Sequence, residues 1–276
     1  GAAPLRMTAM GRPSLRRNLT ASAILAALLL PVSGRASAPA PRAAAAFKPE
    51  AIFRAQKTDL GPGELYATDF TGQNVVKLSG SMVAGGNVSS FVWSPNRKLV
   101  AFTADAETDG QMELYVVPAA GGERVKVSGP LVTGGQLDAF LWSPNGSRIA
   151  YLADQEADEV RELYVCSPDG TKHAKVSGPL VANGDVEFAF AWSPIGSRIT
   201  YRADQEADEV FELYVSTPDG KKNVKVSGPL VTNGDVDAFA WSPNGSRIGY
   251  RADQETDSVL EFYVSTPDGK KNVKVS

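Results

Sequence analysis

The amino-acid sequence predicts an all-β chain, a β-propeller of about five four-stranded blades. A Trp-Ser-Pro triplet opens at Trp93, Trp142, Trp192 and Trp241, at intervals of 49, 50 and 49 residues. Self-similarity at a period of about 50 residues is typical of repeat architectures. Short apolar runs separated by turn residues fill each repeat, and sustained helical periodicity is absent after the N-terminal leader. Four antiparallel strands per repeat, arranged radially, give a propeller.

The last repeat shows how four strands follow from the residues. Its first strand (237–241) ends at the tryptophan, and Asn-Gly follows, a dipeptide typical of hairpin turns because both residues accept positive φ. The second strand is predicted over 247–251 and the third over 261–264. A Pro-Asp-Gly turn then leads to the fourth strand, 272–275.

The repeats divide the chain into a leader and a propeller. We expect a signal peptide and leader over residues 1–38 and a propeller over 39–276, with repeats near 42–87, 88–136, 137–186, 187–235 and 236–276. Phe47-Lys48-Pro49 marks a diverged first copy. The last two copies, 197–227 and 246–276, differ at only five of 31 positions, which indicates a recent duplication.

The repeated unit, Trp-Ser-Pro-Asn-Gly-Ser-Arg-Ile followed by Tyr-Val-Ser-Thr-Pro-Asp-Gly and Lys-Val-Ser, resembles the WD40-like (PD40) repeat of the TolB propeller family. Related repeats form propeller domains of some prolyl-oligopeptidase-type peptidases. The resemblance covers residues 47–276 and implies the fold, whereas propellers host many unrelated functions. The sequence departs from TolB in two ways: it has no room for the preceding α/β domain, and it has about five units instead of six. A TolB-style partnership with the peptidoglycan-associated lipoprotein is therefore an analogy that assigns no residue.

The N-terminal leader has the pattern of a signal peptide. Arg12, Arg16 and Arg17 precede an apolar run over 19–32, and small residues follow at Ala36-Ser37-Ala38 and over 43–46. This pattern predicts a periplasmic or extracellular protein without a membrane span after signal removal; an uncleaved anchor is the alternative. Cys166 is the single cysteine, so stability must come from packing and not from an internal disulfide.

Charge limits the classes of partner. The chain has 28 basic and 31 acidic residues, and the leader holds five arginines and no acid, so the remainder carries a net charge of −8. Nucleic acid and anionic lipid both need a positive surface, so the acidic balance of the sequence argues against either as a partner. The expected partner is a protein or an oligosaccharide.

An acidic segment between the second and third strands recurs in four repeats. Acids at positions 1, 3, 5 and 9 resemble the start of a calcium loop, but position 12 is valine in every copy and position 6 is glycine only at Gly110. The sequence therefore favours a solvated hairpin and no cofactor, with calcium as the alternative. The calcium candidates are Asp105, Glu107, Asp109, Asp154, Glu156, Asp158, Asp204, Glu206, Asp208, Asp253, Glu255 and Asp257.

The remaining candidates point to structure more than to catalysis. The four tryptophans stand at the same strand end in every repeat, so we expect Trp93, Trp142, Trp192 and Trp241 to pack between blades rather than bind a ligand. His173 is the single histidine and aligns with asparagine in sister repeats, and Cys166 aligns with serine. Neither residue belongs to a recognisable nucleophile motif.

These observations predict a non-enzymatic secreted or periplasmic scaffold that binds protein or oligosaccharide. The alternative is the propeller domain of a prolyl-oligopeptidase-type hydrolase whose catalytic domain is absent from this chain.

Ring closure is the last expectation. The predicted opening strand, 42–47, is alanine-rich, the final strand ends at Val275, and neither end offers a spare strand to the other. Five units form either a small ring joined by packing alone or an open arc of a larger ring. The sequence favours the incomplete ring, which would expose apolar blade faces and promote self-association.

Overall fold

The computed structural model describes residues 47–56 and 61–276, which form 19 β-strands in five antiparallel sheets, blades 1 to 5. Blade 1 contains β1 (Ala51–Ala55), β2 (Glu64–Thr68) and β3 (Val75–Lys77). Blade 2 contains β4 (Val88–Trp93), β5 (Leu99–Ala104), β6 (Glu113–Pro118) and β7 (Val125–Lys126). Blade 3 contains β8 (Leu137–Trp142), β9 (Ile149–Ala153), β10 (Glu162–Cys166) and β11 (His173–Lys175). Blade 4 contains β12 (Val186–Trp192), β13 (Ile199–Ala203), β14 (Glu212–Ser216) and β15 (Asn223–Lys225). Blade 5 contains β16 (Val236–Trp241), β17 (Ile248–Ala252), β18 (Glu261–Ser265) and β19 (Asn272–Lys274).

The predicted all-β propeller is confirmed. The strands of the last repeat begin and end within one residue of the prediction. Blade 1 has three strands among the described residues; the predicted signal peptide and nearly all of the predicted opening strand lie outside them. Phe47 packs against the core between blades 1 and 2. In the part of the chain that the structure describes, no helix is long and apolar enough to cross a membrane.

The Asn-Gly turns differ from the two-residue hairpin that the dipeptide predicts. Only the glycine has positive φ, 67° at Gly146, and its N–H donates to the carbonyl of Ser143 at 2.8 Å. Pro144 precedes Asn145 and fixes the first central position, so the turn spans Ser143 to Gly146. The Asn145 side chain accepts from the Ser147 N–H at 3.0 Å. The Pro-Asp-Gly turns are built in the same way, with φ of 69° at Gly170.

Successive side chains of a strand point to opposite sides of the sheet, and both sides of each blade are apolar. The front face of blade 4 carries Ile199, Tyr201 and Tyr214 and packs on blade 3, whereas its back face carries Leu213 and Val215 and packs on blade 5. Blades 1 to 3 pack on their successors in the same way. Each fully buried aliphatic side chain contributes about 1.5–3 kcal/mol. Blades 1 and 5 share no core cluster among the described residues, as expected for an incomplete ring.

Antiparallel strands place the loops of each blade at two ends. One end carries the loops between second and third strands together with the blade-to-blade connections, and we call it the acidic end. In blades 2 to 5 each of these hairpin loops carries three or four acids, and Arg161 is their single base. The opposite, basic end carries the Trp-Ser-Pro and Pro-Asp-Gly turns, which include Arg97, Lys98, Arg148, Arg198, Lys221, Lys222, Arg247, Lys270 and Lys271.

Candidate functional site

The tryptophans of the repeat lie in the cores between blades. Trp142 and Trp192 are each only 6% exposed, and their indole N–H groups donate to the carbonyls of Val92 (3.4 Å) and Leu141 (3.2 Å) in the preceding blade. Trp93 and Trp241 are half-buried against the equivalent clusters. An indole that packs between sheets cannot also present its face to a ligand.

The first acid of the recurring acidic loop holds two loops together. The buried carboxylate of Asp204 accepts the backbone N–H of Asp185, where blade 4 begins, and the N–H of Glu209 at 3.2 Å. Asp105 and Asp253 accept from the equivalent backbone groups. Burial raises the pKa of Asp204 despite these hydrogen bonds. In these three loops the lone pairs that would bind a cation are directed at the backbone of the same molecule, whereas the Oδ1 of Asp154 in blade 3 is buried without a hydrogen-bond partner among the described residues.

The third and ninth acids belong to a chain of hydrogen-bonded side chains that recurs in blades 2 to 5. In blade 4 the Tyr214 hydroxyl donates to Glu212 at 2.6 Å, and the Lys225 ammonium donates to both Glu212 (2.7 Å) and Glu206 (2.6 Å). Burial lowers the pKa of Lys225, but its hydrogen bonds to the two glutamates outweigh burial and leave the pKa raised. The lysine thus supplies the positive charge that a calcium ion would supply.

Blades 2, 3 and 5 repeat this arrangement through Lys126, Lys175 and Lys274. In each of these four blades the lysine follows its loop glutamate by 19 residues. This 19-residue spacing is visible in the sequence. A comparison of the acidic loop with calcium loops misses it, because the lysine lies outside the loop. Among the described residues, no group of three or more His, Cys, Asp or Glu side chains is placed to hold a metal ion.

The fifth acids remain without a basic partner. Asp109, Asp158, Asp208 and Asp257 are exposed, and none of them forms an ion pair within 47–56 or 61–276. The carboxylate of Asp109 lies directly over Gly85, where a Cβ atom would stand only 2.6 Å from its Oδ1. Because Gly85 has no side chain, the acidic loop of blade 2 can pack directly against the connection between blades 1 and 2.

Two clefts open at the acidic end between consecutive blades. A cavity of about 440 Å³ lies between blades 2 and 3, lined by residues that include Asp109, Leu131 and Gln136. A second, of about 350 Å³, lies between blades 4 and 5 and is lined by residues that include Arg202 and Asp237. Together with the exposed aspartates, these clefts make the acidic end the candidate interaction surface.

The structure brings the single cysteine and the single histidine together. Cys166 and His173 are cross-strand partners on β10 and β11, and both line a groove of about 690 Å³. Strand register could have revealed this pair from the sequence. The thiol is buried, and burial raises its pKa to about 12. The exposed imidazole bonds through Nε2 to the carbonyl of Gly170 at 2.9 Å, whereas reactive cysteines usually have a lowered pKa and an accessible thiol.

Comparison with known proteins supports the architecture. No protein-family model and no curated protein matches the sequence. Among solved structures, dipeptidyl peptidase 4 from Porphyromonas gingivalis matches with a TM-score of 0.59 and 13% identity over 77% of this chain and 36% of that one. A puromycin-hydrolyzing peptidase from Mycobacterium tuberculosis matches with a TM-score of 0.50 and 14% identity over 82% and 38%. A TolB-like protein from Agrobacterium tumefaciens matches with a TM-score of 0.44 and 17% identity over 78% and 74%.

The chain folds as a β-propeller. At these identities the likeness extends to the fold and not to an activity. The chain spans little more than a third of the length of the two peptidases.

Proposed function

We propose that this chain is a non-enzymatic scaffold, exported to the periplasm or the cell exterior, that binds a partner protein through its acidic end. One observation carries the proposal: the fifth acid of each loop is exposed and forms no ion pair among the described residues, while the third and ninth acids of the same loops pair with lysine. Repeated uncompensated charge at one end produces a negative potential that attracts a basic surface. The partner is therefore a protein with a cationic face.

An oligosaccharide fits the acidic end less well. Sugar sites usually need an exposed aromatic face, and the tryptophans of this chain lie between blades. Phe188 is exposed near the acidic end, but the Arg161 guanidinium lies 5.1 Å from the centre of its ring. The two clefts instead offer polar grooves of a size that single side chains of a protein could enter.

A capture experiment tests the proposed partner. The purified chain is compared with a variant in which Asp109, Asp158, Asp208 and Asp257 are all changed to Asn, using exported proteins of the source cell as prey. A matched control changes Arg148, Arg198, Lys222 and Arg247 of the basic end to Gln. We expect only the acidic-end variant to lose its bound protein, and added salt to weaken binding by the wild-type chain.

Retention by both variants, or equal loss from both, contradicts a role for the acidic end. Salt-independent binding to a glycan array, unchanged by the four Asp→Asn substitutions, would favour the oligosaccharide reading instead. Melting temperatures of the variants identify any loss that follows from unfolding.

Export is tested separately. The basic and apolar leader over 1–38 supports a cleaved signal peptide, and mass spectrometry of the mature N-terminus should place cleavage near Ala38 or within 43–46. A cell-associated chain that keeps its apolar run contradicts cleavage and favours the anchor.

A second candidate function is that of a peptidase propeller domain, favoured by the fold likeness to dipeptidyl peptidase 4. The coding sequence beyond Ser276 tests it. A hydrolase domain with a Gly-x-Ser-x-Gly nucleophile motif would support this reading, whereas further repeats or a stop codon would oppose it.

A further inference from the structure

The groove beside Cys166 and His173 lies between blades 3 and 4 at the basic end. One wall consists of the turns and the outer strands of blade 3, and the other is the Pro-Asp-Gly turn of blade 4, through Pro218 and Asp219. Its volume of about 690 Å³ lies within the range of small-molecule sites, roughly 300–1,000 Å³. Both walls belong to described blades, so the groove is a property of one internal junction.

The groove opens where blade 3 has alanine and the other four blades have valine. At three other junctions the valine lies directly under the glycine turn of the next blade. A Cβ atom on that glycine would stand 2.6–3.4 Å from the valine Cγ1, in the pairs Gly121–Val76, Gly170–Val125 and Gly269–Val224. At Gly220 of blade 4 the three nearest atoms would all be backbone atoms of Lys175 and Val176. Ala174 therefore leaves empty the space that two methyl groups fill elsewhere.

The preceding position on the fourth strand also differs in blade 3. Arg124, Asn223 and Asn272 occupy it in blades 2, 4 and 5, and each donates to a backbone carbonyl of the preceding blade. His173 bonds instead to Gly170 of its own turn, and its exposed imidazole lines the groove. A side chain that joins two blades elsewhere is thus available to a ligand here.

The cations of the groove are free, whereas its acids are occupied. Arg148 and Lys172 line it, and neither forms an ion pair among the described residues. Asp169 and Asp219 accept hydrogen bonds from hydroxyl groups of their own turns. Asp219 also lies 3.6 Å from the Lys221 ammonium. Three bases against two acids leave the groove with uncompensated positive charge, which attracts an anion.

We infer that this groove binds a small organic molecule that carries an anionic group, a carboxylate or a phosphate. Arg148 and Lys172 pair with the anion, and the His173 imidazole adds a hydrogen bond. The apolar part of the ligand occupies the space left by Ala174. Guanidinium suits both anions because its N–H groups form two parallel hydrogen bonds with either. The site lies at the end opposite the proposed partner surface and is independent of it.

NMR spectroscopy of the untagged chain tests the inference, because the single histidine gives one set of imidazole ring signals and lies in the groove. The probes are phenyl phosphate and benzoate, with inorganic phosphate and acetate as the corresponding bare anions. We expect the His173 signals to move and saturate with an aromatic probe at a lower concentration than with its bare anion. A response to phenyl phosphate alone assigns phosphate as the anionic group, and a response to benzoate alone assigns carboxylate.

Two variants distinguish a site in the groove from general attraction to the basic end. Ala174→Val introduces the side chain of the other blades and keeps every charge, so it should abolish binding by filling the groove. Lys172→Gln should weaken binding roughly tenfold, through the loss of one charge-assisted hydrogen bond. Lys222→Gln is the matched control, because Lys222 is the equivalent lysine of blade 4 and does not line the groove. It should leave binding unchanged.

His173 signals that move with none of the probes overturn the inference. An equal response to the bare and the aromatic anions also overturns it, because the groove would then hold no organic part. Binding that survives Ala174→Val, or that falls equally in Lys172→Gln and Lys222→Gln, has the same consequence, since the charge of the basic end alone would hold the anion. Melting temperatures show that each variant is folded.

Discussion

Blades 4 and 5 have nearly the same sequence and different surroundings. Over 31 residues they differ at five positions, and their strands superimpose in register, with Tyr201 opposite Tyr214 and Tyr250 opposite Tyr263. Their front faces are buried alike, since each has a preceding blade. Their back faces are not, because only blade 4 has a successor among the described residues.

The difference shows which properties belong to a repeat and which belong to its neighbour. Strands, turns and the Tyr–Glu–Lys chain recur in both blades, so residues within one repeat determine them. Burial of the back face depends on the next sheet alone. A pattern of alternating apolar residues therefore predicts which faces can be buried, but not which of them are.

The largest expected effect comes from a tryptophan between blades. Trp192→Ala removes a buried indole and its N–H bond to Leu141, and the cavity should lower the free energy of unfolding by about 3–5 kcal/mol. Urea denaturation of the variant measures the change. Trp241→Ala is the matched control, because Trp241 is half-buried and its Nε1 has no partner among the described residues, so it should cost less. Equal costs would contradict the dependence on surroundings.

The next prediction compares the back faces directly. Leu213→Ala should destabilise the chain by about 2–4 kcal/mol, since the side chain is fully buried against blade 5. Phe262→Ala, at the same position of blade 5, should cost less than about 1 kcal/mol, since half of its surface is already in water. Thermal melts at concentrations where the chain is monomeric measure both. A large loss in Phe262→Ala would mean that the face is covered in solution.

The strands and turns were predictable because their causes are local. Pro-Asp-Gly sets a turn by the fixed φ of proline, the side-chain acceptor of aspartate and the freedom of glycine, all within three residues. The Asn-Gly dipeptide predicts a turn in the right place but with the wrong geometry, because Pro144 takes the first central position of the turn and Asn145 takes the second. The packing of the tryptophans between blades was predictable because they stand at the same strand end in every repeat.

The roles of the acids were less predictable because their partners are distant in sequence. Asp204 accepts from Asp185, 19 residues away, and Glu206 pairs with Lys225, again 19 residues away. A loop considered alone has only its own acids, and alternating acids resemble a calcium site. Only the pairing of second, third and fourth strands brings Lys225 to them.

A smaller effect is expected at Thr200, where blade 4 has a threonine and blade 5 has Gly249. The Thr200 side chain is fully buried on the back of blade 4, and its Oγ1 has no hydrogen-bond partner among the described residues. Thr200→Val keeps the shape and removes the unsatisfied hydroxyl, so it should stabilise the chain by about 1–2 kcal/mol. Thr200→Ser keeps the hydroxyl and should not stabilise. Destabilisation by valine in urea titrations would reveal a partner for the hydroxyl.

The smallest effect is expected at the single histidine. In blades 4 and 5 the asparagine at this position donates to the preceding blade: Asn223 to the Val176 carbonyl and Asn272 to the Val226 carbonyl, both at 2.9 Å. Each also donates to a tyrosine hydroxyl of its own blade. His173 bonds instead to Gly170 of its own turn, so blade 3 lacks this hydrogen bond to blade 2.

Restoring this hydrogen bond between blades 3 and 2 should stabilise the chain. His173→Asn brings an amide within reach of the Val127 carbonyl and the Tyr151 hydroxyl, and one added hydrogen bond between partly buried groups is worth about 0.5–1 kcal/mol. Asn223→His makes the reverse change in blade 4 and should destabilise by a similar amount. Differential scanning calorimetry of both variants at a pH where histidine is neutral measures the pair. If neither variant changed the stability of the chain, the contacts between blades on this side would depend on apolar packing alone. Histidine in blade 3 would then be as stabilising as the asparagine of blades 4 and 5.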